Sequence, residues 1–490
     1  MSVPDRQHSH FDLAGRARQE MIRDGFEPEF PPDAARQALV PAVSVSNTTA
    51  IRALRDLLWS SIDNRESRDL DQIEVAEKLP NGSIRLLVAI SDVDAFVSKG
   101  STIDLHAAHN CCSVYTGVAV FPLLPEELST DKTSLLQDQE RDAIVIEMQI
   151  DTEGNVSDPA IYRAHTRNYA QLAYEDAGEW LDGEGGLPDR ISRVPGMEAQ
   201  INLQNEAAVR LLGRRVRDGA LEFETVEARP VMEDGRITDL KVLKKNPARL
   251  MIENFMISAN TTMARYLEER SIPSIQRVVR APQRWPRIVE IAARYGVVLP
   301  AEPNSPALSK FLASRRIADP ERFPDLSLSI VKLMGPGEYV VVKSAVDHVG
   351  HFGLAAYSYT HSTAPNRRYA DLIVQRSLKA VLAGSPPPYS ELELEEIAVR
   401  CTERENAARK VERFMRKAVA AVWMHERIGE VFEAIVTGAT VKGTYVRVLK
   451  PPVEGRVVRG EEGLDVGDHT RVRLIHTDPE RGFIDFEEAS

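Results

Sequence analysis

His351-Phe-Gly-Leu-Ala-Ala-Tyr-Ser-Tyr-Thr-His-Ser-Thr-Ala-Pro-Asn-Arg-Arg-Tyr-Ala-Asp-Leu372 is the stretch on which the reading of this chain turns. Beyond it, apolar residues recur at helical spacing as far as Ala383, then Gly384 and Pro386-Pro387-Pro388 stop the pattern. That spacing predicts a helix from near Pro365 to Ala383. Arg367 and Arg368 then fall in its first turn. Cations there oppose the helix dipole, and a bound anion would relieve the conflict. Free backbone N–H groups beside two guanidinium groups make a natural phosphate clamp. A plainer account has two surface arginines answered by Asp371.

A second loud stretch lies far upstream, Ser61-Ile-Asp-Asn-Arg-Glu-Ser-Arg-Asp-Leu-Asp-Gln-Ile-Glu74. Asp63, Asp69 and Asp71 lie within nine residues of one another, between an apolar segment and a strand. Magnesium takes hard oxygen ligands, commonly one or two carboxylates with phosphate and water. Phosphodiester hydrolysis needs such an ion to ready a water and to stabilise the leaving oxygen. Taken alone, a short acidic run is more often a solvated loop.

Between and around these stretches the chain alternates in texture. Leu13, Ala17, Met21 and Ile22 recur at helical spacing, and Pro31-Pro32 precede a second short helix over Ala34–Leu39, so residues 1–47 read as a helical extension or strap. Ile84–Ile90 and Ala143–Ile150 read as buried strands. Ala199–Val216, Leu250–Leu267 and Leu392–Arg427 read as amphipathic helices, the last as one or two. From residue 428 short strands return, and about five of them in about 60 residues suit a barrel of the OB type, a common single-strand binder.

Bulk properties narrow the class. At 43% hydrophobic and 27% charged residues the composition is globular, and no apolar run approaches a membrane span. The polar stretch Met1–Phe11 lacks a secretory core, so a cytoplasmic location is expected. Three cysteines give neither a disulfide framework nor zinc spacing. A net charge of −12 argues against nonspecific coating of nucleic acid but leaves room for a locally basic channel.

The segment His351–Gln375 resembles the signature of the ribonuclease II catalytic domain, the RNB domain. That signature has a His-Phe-Gly-Leu start, a Tyr-Thr step, Ser/Ala-Pro, paired basic residues, an aromatic and Asp-Leu. Other stretches resemble further family blocks in order: Leu86–Gly100, Ser113-Val-Tyr with Phe121–Ser129, Gly219–Phe223 and Leu250–Met256. The resemblance covers about residues 48–427, and residues 428–490 resemble the OB-fold RNA-binding domain that usually follows. It implies an α+β catalytic RNB domain with a C-terminal all-β OB-fold barrel. The activity implied is magnesium-dependent, hydrolytic 3′-to-5′ exoribonuclease action on single-stranded RNA, releasing 5′-nucleoside monophosphates. Apart from the resemblance, the chain is expected to be a monomer, with a protein partner left open.

Residue by residue, the resemblance gives Asp63, Asp69 and Asp71 to the magnesium site and Arg367, with Arg368 beside it, to the phosphate being cut. Tyr115 and Phe223 match an aromatic pair that sandwiches the terminal bases. Tyr174 and Glu253 match residues near the last sugars, where a carboxylate can accept a bond from a 2′-OH. Without the resemblance, Tyr115 and Phe223 read as core aromatics, Glu253 as solvent-facing, and His351 and His361 as packing residues. The chain departs from the family pattern at Gln72, usually aspartate, and at Ser362 and Asn366. It is expected to be a short form without the two cold-shock domains. Ser362 and Asn366 bear on local packing; Gln72 and the missing cold-shock domains leave a competing class, an RNB-type protein that binds RNA without cutting it.

Overall fold

The computed structural model describes residues 11–40, 50–224, 227–233, 236–243, 245–343, 350–440, 443–464 and 467–489. Parts of the predicted extension, residues 1–10 and 41–47, lie outside the described residues.

A six-stranded sheet organises the catalytic part: β1 (Arg52–Ala53), β2 (Trp59–Asp63), β3 (Gln72–Lys78), β4 (Ile84–Ser91), β5 (Glu140–Ile150) and β6 (Val156–Ala173). Its order is β1-β6-β2-β3-β4-β5, and β6 also pairs with β5. The long β6 runs antiparallel to β5 through its first part and parallel to β2 at its end, where Ala173 meets Asp63. Alternation splits the side chains between two cores. Trp59, Ile73, Val75, Leu87, Ala89 and Val145 pack on one side. Ile62, Leu86, Val88, Ile90, Ile144 and Ile146 pack on the other, beneath the helices Met197–Asp218 and Pro247–Glu268. Local chemistry fixes these helices' ends. Gly219 caps the first in a left-handed conformation at φ 96°. Asn246 caps the second by accepting from the Arg249 N–H, with Pro247 at the first helical position.

Three helices, Trp285–Arg294, Ser305–Ala318 and Phe323–Met334, form a satellite core that the apolar periodicity had not singled out. The predicted late helix is a single element, Glu391–Met424, opened by a Ser390/Glu393 capping box. Its charged face is laced with ion pairs: Glu405 meets Arg277 and Arg409, and Lys410 meets Asp24. The N-terminal helices Leu13–Arg23 and Pro32–Leu39 do lie as a strap. Leu13, Ala17 and Met21 pack on the long helix, and Ala34 and Ala38 pack against Ile103 and Ala107. Five strands between Val431 and Glu488 close the C-terminal barrel, as expected of an OB fold.

One predicted boundary is wrong in a way that matters. The helix expected from Pro365 begins at Tyr369 and ends at Leu382, with Arg368 as its N-cap. Pro365, Asn366 and Arg367 form a turn ahead of it, so the two arginines do not share a first helical turn.

Candidate active site

The acidic loop joins two paired strands. Ser60 of β2 faces Glu74 of β3, and continuing that antiparallel register sets Asp63 opposite Asp71 where the strands part. Asp69 lies in the loop between them, which is pinned by buried Leu70 and by Ser134. The Ser134 hydroxyl donates to the Arg68 carbonyl at 2.6 Å and accepts from the Leu70 N–H at 2.9 Å.

Each aspartate is held differently. Asp63 is half-buried, and its Oδ1 accepts from the Asn64 N–H at 2.6 Å and from the Ser67 hydroxyl at 2.8 Å. Asp69 accepts from the Tyr115 hydroxyl at 3.3 Å, and burial raises its pKa. Asp71 is almost wholly buried; its Oδ1 accepts from the Asn366 N–H at 3.0 Å and its Oδ2 lies 3.7 Å from Arg367 Nε. Burial pushes the Asp71 carboxyl up to about 8, against the opposing pull of Arg367 and the Asn366 N–H.

The turn that delivers Arg367 is anchored on three sides. The Ala364 N–H donates to Asp371 at 2.8 Å, the Ser113 N–H to the Arg367 carbonyl at 3.0 Å, and the Thr133 hydroxyl to Asn366 Oδ1 at 2.5 Å. The unusual Asn366 is thus a buried, satisfied polar residue, and so is Ser362, bonded to Asn260 at 2.8 and 2.9 Å. Sequence reasoning had given these two only a packing role. The Asn366 backbone in fact reaches Asp71.

The two arginines separate. Arg367 is exposed and turned to the carboxylates, whereas Arg368 makes a two-bond fork on buried Asp371, both bonds at 2.8 Å. The pairing with Asp371 that the plainer account expected is present, and it occupies the Nε and Nη2 edge of the Arg368 guanidinium. Asp92 and Asp94, just beyond β4, are structural: Lys379 bridges them at 2.7 and 2.9 Å.

The predicted RNA-contacting residues occupy separate elements. Tyr115 projects from a two-residue strand, exposed at its ring and bonded to Asp69. Tyr174 opens a helix directly after β6, with the Arg249 guanidinium 4.3 Å from its ring centre. Glu253 is exposed on the helix Pro247–Glu268, 3.8 Å from Arg215. Phe223 packs half-buried against the satellite core around Trp285, so the base-sandwiching pair is not brought into one cluster with the aspartates. His361 is a half-buried packing residue, bonded to the Tyr339 hydroxyl at 2.8 Å.

As they stand, no three acidic, His or Cys side chains among the described residues gather closely enough to ligate one ion. The donor set is nevertheless all hard oxygen, and the raised Asp71 carboxyl marks a place where added positive charge is favourable. By that chemistry Asp63, Asp69 and Asp71 fit magnesium.

Comparison with known proteins now decides the family. The RNB domain model matches residues 51–384, and the model of the RNase II-type exonuclease C-terminal S1 domain matches residues 430–489. This chain belongs to the RNB, or ribonuclease II, family. Ribonuclease R of Thermotoga maritima is 29% identical over 94% of this RNB protein and 68% of its own length. Ribonuclease R of Escherichia coli is 30% identical over 82% of this chain, which spans 50% of that relative. Mycoplasma genitalium RNase R, solved with ribose-methylated single-stranded RNA, shares the fold with a TM-score of 0.87 at 22% identity, covering 98% of this chain and 78% of that one. Yeast Ssd1, described as a pseudonuclease, shares it at 0.74 and 18% identity, covering 91% and 56%. An RNB fold alone therefore does not certify cleavage, and the acidic site carries that question. On strand β3, two places after Gln72, Glu74 is fully buried with neither carboxylate oxygen hydrogen-bonded among the described residues, and burial holds its carboxyl well above the ordinary range.

Proposed function

We propose that this RNB protein is a magnesium-dependent, hydrolytic 3′-to-5′ exoribonuclease acting on single-stranded RNA. The observation that carries the reading is the convergence of Asp71, Asp69 and Arg367, with the Asn366 N–H, at one place in the fold. Magnesium there would supply a readied water and charge stabilisation at the leaving oxygen, held by Asp63, Asp69 and Asp71. Arg367, free on its outer side, would meet the charge that grows on the phosphoryl oxygens. The Tyr115 ring beside Asp69 would stack on the base next to the cut bond, a sequence-tolerant contact. Tyr174, Phe223 and Glu253 would line the path of the last nucleotides, with Glu253 receiving a ribose 2′-OH. Three unpaired thiols, and the absence among the described residues of a helix able to cross a membrane, suit a reducing cytoplasm.

The specific observation favouring a second reading, RNA binding without cleavage, is Gln72 in place of an aspartate. Asp71→Asn separates the two. In the enzymatic reading it abolishes shortening of RNA while RNA affinity stays near wild type, because the carboxylate acts on the transition state. Near-normal cleavage by Asp71→Asn would refute the assignment.

A further inference from the structure

The nearest atoms of Arg367 and Asp71 are 3.7 Å apart. An arginine hydrogen-bonded to a carboxylate settles at about 2.7–2.9 Å. Arg368, one residue on, does close on its own partner, Asp371, at 2.8 Å. A buried carboxylate and an adjacent guanidinium attract strongly, because little water screens them. The fold must hold this pair apart.

Part of the restraint is the backbone of Arg367 itself. Its N–H donates to the Ala364 carbonyl at 3.2 Å, and its carbonyl accepts from the Ser113 N–H at 3.0 Å. Asn366 supplies the rest, through a circuit of bonds that begins and ends on Asp71. The Asn366 N–H donates to Asp71 Oδ1 at 3.0 Å. Thr133 grips the Asn366 side chain: its hydroxyl donates to Oδ1 at 2.5 Å, and its carbonyl lies 3.5 Å from the amide nitrogen. That carbonyl also accepts from the Ser91 hydroxyl, and the Ser91 N–H donates to the Asp71 carbonyl at 3.0 Å. None of these four residues is more than 2% exposed.

Thr133 is itself fixed, with its hydroxyl 2.7 Å and its N–H 3.0 Å from the Leu128 carbonyl. The next residue, Ser134, bonds the Arg68 carbonyl and the Leu70 N–H of the acidic loop. Two adjacent residues thus grip the arginine turn and the aspartate loop and set one against the other.

We propose that Thr133 and Asn366 are positioning residues that hold Arg367 clear of Asp71, keeping its guanidinium open to the phosphate being cut. An arginine closed on the carboxylate would meet the growing phosphoryl charge already partly neutralised. The inference rests on the cleavage reading above and names what keeps its arginine available.

The test is a double-mutant cycle in kcat, measured on the full chain with single-stranded RNA and magnesium. Thr133→Val keeps the shape and removes the hydroxyl. Asn366→Ala keeps the N–H on Asp71, removes the anchored side chain and leaves the Thr133 hydroxyl its Leu128 carbonyl. Each should lower kcat about tenfold while KM for RNA changes less than about twofold. Thr133→Ser, which keeps the hydroxyl, should recover most of the rate. Added to Arg367→Ala, either substitution should change kcat less than about twofold, because the group it serves is gone. A crystal structure of metal-free Asn366→Ala should show Arg367 closed to hydrogen-bonding distance of Asp71. Where Thr133→Val does not fold, Asn366→Ala decides. A full tenfold loss on top of Arg367→Ala would overturn the proposal and make the pair a contact that holds the fold. A wild-type kcat in Asn366→Ala, or an Arg367–Asp71 spacing that stays at 3.7 Å in it, would overturn it too. Absence of cleavage by wild type would instead remove the cleavage reading, and this inference with it.

Discussion

Asp71→Asn should make the metal-free protein more stable at alkaline pH even as it removes the proposed chemistry. The ordinary aspartate value is 3.8, and burial pushes Asp71 up to about 8 in the fold. A carboxyl with a raised folded pKa holds its proton in the native state while the unfolded chain has released it. Its stability contribution is therefore complete below about pH 4 and is lost as pH rises through about 8. At ~1.4 kcal/mol per unit, a shift of about four units sets a ceiling of roughly 5–6 kcal/mol. Water entry and relaxation around the charge reduce this to a few kcal/mol. Asparagine keeps an oxygen for the Asn366 N–H and carries no charge to bury. Urea unfolding in EDTA from pH 4.5 to 9 is the assay. Across that range wild-type stability should fall more steeply than that of Asp71→Asn, the two slopes differing by up to one proton. At pH 8.5 Asp71→Asn should be the more stable by a few kcal/mol. Saturating magnesium should close the gap, because an ion bound only by the native state stabilises by mass action. Parallel pH slopes, or an Asp71→Asn protein less stable than wild type at pH 8.5 in EDTA, would refute the reasoning.

Four further outcomes follow from the same geometry. Arg367→Ala should slow cleavage about 100-fold with little change in RNA affinity, the range seen for single charge-stabilising donors; Arg368→Ala should instead lower the urea midpoint, since it strands buried Asp371. Tyr115→Ala should leave a longer limit product on a sequencing gel, because a base stack of about 1–3 kcal/mol is lost; an unchanged product would remove Tyr115 from the site. Arg376→Met should cost roughly 3–5 kcal/mol in urea unfolding without an active-site contact, because Arg376 bonds Asp94 at 3.0 Å, Asp104 at 2.8 Å and the Tyr389 hydroxyl at 2.7 Å.

Much of this molecule was legible from its sequence where one local signal decides. The β4 and β5 runs, the helix ended by Gly219 and the long helix behind Ser390 each carry a period and a stop. The catalytic blocks were legible through family resemblance, since an acidic loop alone looks like any solvated loop. What failed did so for tertiary reasons. Pro365 suggested a helix start, but the Asn366–Thr133 bond and the Asn366 N–H on Asp71 hold a turn there, and the helix waits until Tyr369. Arg368 looked like the twin of Arg367 until Asp371 engaged its fork. Phe223 sits in a loop whose packing is set by helices about 60 to 110 residues away in sequence. Glu74 carries no signal in the sequence, and only its complete burial without a partner among the described residues sets it apart.

The most direct test of the central claim is incubation of the purified chain with a 5′-labelled single-stranded RNA and magnesium, beside an EDTA control and a matched DNA. The account predicts a descending ladder that ends in a short oligomer, absent with EDTA and absent on DNA. RNA that is bound but never shortened, with magnesium present, would contradict it and leave an RNB fold that holds RNA without cutting it.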